Sequence, residues 1–315
     1  FSSRRRHTRY KDWSRGLGDV YKRQVCISMI RDFTGKRGSR LLLAVLLAGL
    51  LTSCSFKTVY NRLDVLIPEY VEGLVTIDNA LENNLQQRSA ALLEWHRQTQ
   101  LIRYADWLRA FQGEVGKLTV DSARRYALEA EDFWEAMSAK IDYEMAELLP
   151  LLDTKQQSEL FASITEKNED FADEYIDIDD DERRTNYYER TRDTYENWIG
   201  DLTDAQEQAI RQATDRLLDG ARLRLDRRQE WQAGIQEILA GRESRQVKSQ
   251  QLHDYLQDFE FSNAQSLDSR IEANKEIITG LTVAISDSMD EDQAGHFVDK
   301  TDDYIRMFTE LSENR

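Results

Sequence analysis

Prolines are nearly absent from these 315 residues: only Pro68 and Pro150 occur, with 14 glycines. So few chain breakers argue against a loop-rich fold and for long helices. No run of alternating Val, Ile and Thr supports a strand. Two cysteines are too few for a disulfide scaffold. Four histidines form neither an H-E-x-x-H pair nor a repeated Glu-x-x-His, which speaks against zinc-protease and di-iron chemistry. No G-x-S-x-G elbow, phosphate-cradling loop or G-x-G-x-x-G turn occurs. Carboxylates are too numerous to nominate a catalytic pair. The expectation is a protein that is not an enzyme and uses no metal or dissociable cofactor.

What is present begins with an odd leader. Residues 2–24 have no apolar periodicity and carry a charge foreign to the rest. They read as translated adaptor sequence, so residues 1–28 are set aside and the protein is taken to start at Met29. The alternative is a basic arm placing Arg4, Arg5, Arg6, Arg9 and Lys11 on nucleic acid, and it lacks a companion domain. From Met29 come the positive residues Arg31, Lys36, Arg37 and Arg40, then an apolar run over 41–51 and small residues before a cysteine. This is a secretory signal over residues 29–53. At roughly 1.5 Å per residue the run covers about half of a ~30 Å hydrocarbon core, too little to span it.

The sequence Leu51-Thr52-Ser53-Cys54 looks like a lipobox, with cleavage between Ser53 and Cys54. That resemblance implies a covalent diacylglycerol and an N-acyl (palmitate-type) chain on Cys54, because stable anchoring needs more than one acyl chain. Ser55 points to export to the outer membrane, periplasmic face. Removal of residues 1–53 leaves 30 basic and 55 acidic residues, a formal charge of −25. Such a chain repels phosphate backbones, so nucleic acid is not an expected partner. Cys26 is removed with the leader, leaving only the acylated thiol.

Residues 54–70 read as a lipidated tether that becomes an apolar docking segment. Beyond it, Val120, Ala123, Ala127, Ala130, Phe133 or Trp134, Met137, Ile141, Met145 and Leu148 recur at helical steps. The expected class is all-α, an elongated antiparallel bundle of long helices. Recurring motifs leave open two similar halves, residues 71–198 and 199–315, divided at Trp198-Ile199-Gly200.

One motif recurs at three predicted helix starts: Leu152-Asp153 with Gln156, Leu202-Thr203 with Gln206, and Met289-Asp290 with Gln293. A fourth copy, Ile77-Asp78, has Leu81 in the Gln position. In each the Thr or Asp is expected to cap the first turn while the Gln reaches back to the cap's own N–H.

The acidic run from Asp177 to Glu182 lacks the Gly and the final Glu of a calcium loop, so it reads as a solvated connection. The arginines 222, 224, 227 and 228 are interleaved with Asp226 and Glu230, suggesting pairing along one helix. Trp95, Tyr104, Trp107, Phe111, Trp134, Trp198 and Trp231 sit at helical spacings and read as core. His96 reads as a hydrogen-bonded packing residue, with a catalytic role near Tyr104 as the alternative.

The segment Cys54-Ser-Phe-Lys-Thr-Val-Tyr-Asn-Arg-Leu-Asp64, the segment Trp95-His96-Arg97-Gln98-Thr99-Gln100-Leu101 with Tyr104, and the motif copies resemble an uncharacterised family of proteobacterial lipoproteins. The likeness implies lipidation, an envelope location and a helical architecture, and it carries over no catalytic residue. Its segments supply the candidate partner-binding residues Tyr60, Asn61, Arg62, Asp64, Trp95, His96, Gln100 and Tyr104. The expected role is therefore a protein-interaction module of the envelope. The motif at Leu202 is also similar to the repeat of the Spy- and CpxP-type periplasmic chaperones, which implies a client-binding alternative.

Overall fold

The computed structural model describes residues 53–313. The adaptor-like stretch and residues 29–52 of the signal lie outside the described residues. All regular structure among the described residues is helical. The helices are α1 (Ser53–Tyr60), α2 (Leu63–Glu72), α3 (Asn79–Thr99), α4 (Leu101–Gln112), α5 (Val120–Leu148), α6 (Thr154–Tyr175) and α7 (Asp180–Ile199). They continue with α8 (Asp204–Thr214), α9 (Ala221–Ala240), α10 (Arg245–Asp258), α11 (Ala264–Asp287) and α12 (Glu291–Glu313). The chain is an all-α helical bundle.

The two prolines sit where the backbone tolerates them differently. Pro150 lies in a 3-10 turn, Leu149–Leu151, between α5 and α6, whereas Pro68 lies inside α2 with its ring buried. α5 shows the amphipathic stripe, shifted at its start. Tyr126, Trp134, Met137 and Ile141 are buried with Ala123, while Val120 and Ala127 face outward. Tyr126 offers more apolar area than Ala127, so burying it is the more favourable register. Thr119 caps the helix and exchanges hydrogen bonds with Ser122.

The recurrent motifs are capping boxes that also pair. Asp153 and Thr203 accept from the N–H three residues on, and Gln156 and Gln206 accept from the cap N–H. Asp290 and Gln293 do the same. The free amide hydrogens then cross to another helix start. Gln156 donates to the Thr76 carbonyl, 2.9 Å away, just before the cap Asp78 of α3. Gln206 and Gln293 donate to each other and to the Ser288 and Asp201 carbonyls respectively. The four copies thus form two joints, α3 with α6 and α8 with α12. In the first joint Leu81 stands in the Gln position, buried against Leu152.

Packing is long-range. α4 lies along α12, α5 crosses α10 and α11, and α6 packs on α9. The apolar cluster around Tyr60, Leu63, Leu92, Leu101 and Met137 also takes Tyr304, Met307 and Leu311. A second joins Ala146 to Trp231, Ile235, Leu252 and Leu256. Both clusters straddle the Trp198-Gly200 boundary. There Gly200 ends α7 with φ +80°, next to the His296 ring, a conformation that suits glycine.

Candidate functional site

α3 and α4 are nearly one helix, interrupted at Gln100, and the residues flanking that break converge on α1. Tyr60, the last residue of α1, makes a 2.8 Å hydrogen bond to His96 Nδ1. The His96 ring lies 5.5 Å from that of Tyr104, which packs edge-on against Phe133 at 4.9 Å. Tyr60 is 1% and His96 4% exposed, so the contact is sealed from water. Burial, helped by the adjacent Arg97 charge, lowers the His96 pKa from 6.5 to about 3. Burial also raises the Tyr60 and Tyr104 phenols well above their ordinary range, against a smaller lowering by Arg97 at Tyr60 and by Arg103 at Tyr104. All three groups are therefore neutral near pH 7. With the phenol donating, His96 is the tautomer protonated on Nε2.

Arg97 covers the face of Tyr60 at 5.3 Å and donates to Asn61 at 2.9 Å, closing the site's outer rim. Gln100 is buried, donating to Thr99 and accepting from Arg103. Trp95 is half-buried against the same cluster, 6.4 Å from His96. Arg62 is exposed and Asp64 half-buried. Of the eight candidates, Tyr60, Asn61, Trp95, His96, Gln100 and Tyr104 meet at this corner. Arg62 and Asp64 flank it on the surface side of α2.

The neighbouring aromatics form a closed circuit. Trp198, Tyr304, Phe308, Tyr104, Phe133, Trp107, Phe111 and Phe297 follow one another at 4.9 to 6.4 Å and return to Trp198. This is core packing with edge-to-face pairs. The circuit reaches the corner through Tyr104, whose ring lies beside His96.

A second polar cluster joins residues far apart in sequence. Glu147 Oε1 accepts from Ser249 Oγ at 2.5 Å and from His253 Nε2 at 3.0 Å, and its other oxygen meets Arg88 at 3.3 Å. Glu144 accepts from Arg88 and Lys140. The hydrogen bonds from Ser249 first, then His253, hold the Glu147 carboxyl below its usual range. Serine and imidazole share one carboxylate oxygen and do not bond to each other, so the imidazole is not placed to take the serine proton. The cluster ties α3, α5 and α10 together. The bonds that Arg88, Ser249 and His253 make to Glu144 and Glu147 span 56 to 106 residues, beyond the reach of any local sequence pattern.

Among the described residues no group of three His, Cys, Asp or Glu could hold a metal ion. In the acidic run, Asp179 caps α7 and Asp180 pairs with Arg183. Two residues of the basic patch region reach from α9 to neighbouring segments: Arg228 lies over the Phe171 ring and Glu230 accepts from Ser262. Between α6 and α9 runs an open groove of about 650 Å³ lined by amides such as Asn168, Gln229, Gln232 and Gln236 over Phe161 and Leu225.

A family model described as a family of unknown function (DUF6279) matches residues 74–267, more than half of the chain, and the chain belongs to that family. No curated protein and no solved structure matches.

Proposed function

We propose that this member of a family of unknown function is a lipid-anchored helical interaction module of the bacterial envelope. Cys54 carries the lipid, the bundle stands at the periplasmic face of the outer membrane, and a protein partner binds its surface. The observation that supports this best is the docking of the segment after Cys54: Tyr60 and Leu63 are fully buried and Tyr60 is hydrogen-bonded to His96. A tether built into the core of its own domain transmits position, which suits an anchored scaffold. The His96 corner is closed and its titratable groups are neutral, which favours a structural role for it over catalysis.

The chaperone comparison rests on the recurrent glutamine motif. Those glutamines are buried and engaged in capping and in joining helix starts. Their letters are accounted for without a client, so the scaffold reading is preferred.

The test is the intact mass of the full chain expressed in a Gram-negative host, with metabolic palmitate labelling and Cys54→Ser as comparison. Acylation at Cys54, lost in the variant, with photo-crosslinks from the bundle surface to a reproducible protein partner is the expected result. An unmodified Cys54 sinks the anchor, and suppression of client aggregation at equimolar ratio without any partner crosslink would favour the chaperone alternative.

A further inference from the structure

α1 begins at Ser53, so Cys54 lies in its first turn, only six positions before the buried Tyr60. Six helical residues rise about 9 Å. Fully extended they reach no more than about 21 Å. Lys57, three residues from Cys54, is already ion-paired to Glu310 of α12. The arm therefore has almost no free length. A lipid on Cys54 brings the whole α1, α3 and α12 corner to the bilayer, within a distance comparable to the roughly 8 Å screening length of physiological salt.

The chemistry of this corner differs from the rest of the molecule. Residues 53–63 contain Lys57 and Arg62 and no acid. Arg97 reaches over from α3 through Tyr60 and Asn61. Glu94, Asp64 and Glu310 balance these cations, so the corner is near neutral in a chain that carries −25 after residue 53. Glu310 is engaged with Lys57. Arg62 is exposed, and Val65, three residues on, presents a side chain that is 46% exposed. A cation beside an exposed apolar group is the pairing found at a headgroup interface, where the charge meets phosphate and the alkyl group enters the upper chain region.

We infer that this corner is a membrane-contact surface, with Arg62 and Arg97 meeting phospholipid headgroup phosphates and Val65 entering the interface. The anchor thereby fixes the orientation of the bundle as well as its location. This rests on the lipidation of Cys54 proposed above.

The test uses the full lipidated chain reconstituted into phosphatidylcholine vesicles with and without phosphatidylglycerol. With Cys54 acylated, Val65→Cys supplies a single thiol for a fluorophore and keeps all three cations. Glu291→Cys, at the far end of α12 and about 29 Å along its axis from Glu310, is the distal site. A headgroup-borne quencher should quench the Val65→Cys label several-fold more than the Glu291→Cys label. Inserting ten Gly/Ser residues after Ser55 should remove that difference, since such a linker adds about 17 Å of mean reach. Arg62→Gln with Arg97→Gln should weaken quenching at position 65 most in the phosphatidylglycerol vesicles. Equal quenching at both sites in chains whose mass confirms the lipid overturns the contact surface while leaving the anchor intact. Chains without lipid overturn the anchor itself, and the contact surface with it.

Discussion

Gln206 and Gln293, 87 residues apart and both buried, donate to each other's carbonyl oxygens at 2.9 and 2.8 Å. Each oxygen also accepts from the N–H of its own helix cap. Two helix starts are thereby satisfied by two side chains.

Replacing either glutamine by Ala strands polar groups of the other. A buried donor or acceptor left unmade costs about 1–3 kcal/mol. Gln206→Ala and Gln293→Ala should each destabilise by that amount in urea unfolding. The double variant should fall short of the sum by at least about 0.5 kcal/mol, as for contacting residues. Strict additivity would show that the joint is not a coupled unit.

Gly234 is occupied by its neighbour. A Cβ there would come within 2.2 Å of the Tyr255 hydroxyl, which donates to the Glu230 and Trp231 carbonyls of the same helix. Ala is worth about 1 kcal/mol over Gly in a helix, whereas overpacking costs about 1–3 kcal/mol. Gly234→Ala should therefore lower the thermal midpoint, and Tyr255→Leu in the same chain should recover part of the loss. A raised midpoint for Gly234→Ala alone would contradict the packing of α9 on α10.

His96 makes the bundle sensitive to acid. Its folded pKa is about 3 against 6.5 when unfolded. Above pH 6.5 it is neutral in both states and has no effect. As pH falls below 6.5 the unfolded chain takes up a proton that the folded chain refuses, so stability is lost down to about pH 3. The slope is about 1.4 kcal/mol per unit, or roughly 2 kcal/mol by pH 5. The pH dependence of urea midpoints should flatten in His96→Gln over this window. An unchanged slope would assign the acid sensitivity to other groups.

Tyr60 supplies both a hydrogen bond and buried volume. Tyr60→Phe leaves the buried His96 Nδ1 unpartnered and should cost about 1–3 kcal/mol, and Tyr60→Ala about 3–5 kcal/mol through the cavity left. The larger change should also release α1 and α2, read as faster amide exchange over residues 57–72 than over α5. Uniform acceleration across both regions would mean that the segment is no separate docking element.

The elements that depend on near neighbours are legible in the sequence. Asp153 with Gln156 and Thr203 with Gln206 announce helix starts because a cap is settled within four residues. The stripe on α5 was legible except at its start, where Tyr126 outcompetes Ala127. His96 and Tyr104 read as neighbours from their helical spacing, but the 36-residue gap between Tyr60 and His96 carries no sign that these two touch. The same limit hid the cross-pairing of the capping glutamines and the cluster at Glu147. In these cases local chemistry gave each residue a task, and tertiary packing chose its partner.

The lie of α12 along α4 has a kinetic meaning. Arg109 meets Thr309 across 200 residues, and the cluster that seals Tyr60 needs Tyr304, Met307 and Leu311. Contacts of such separation close slowly, because the intervening loop must first be ordered. A chain made from its amino end must therefore keep the pocket for Tyr60 and Leu63 open until the last helix has emerged. During that interval Leu92, Leu101 and Met137 are exposed to whatever escorts the nascent protein.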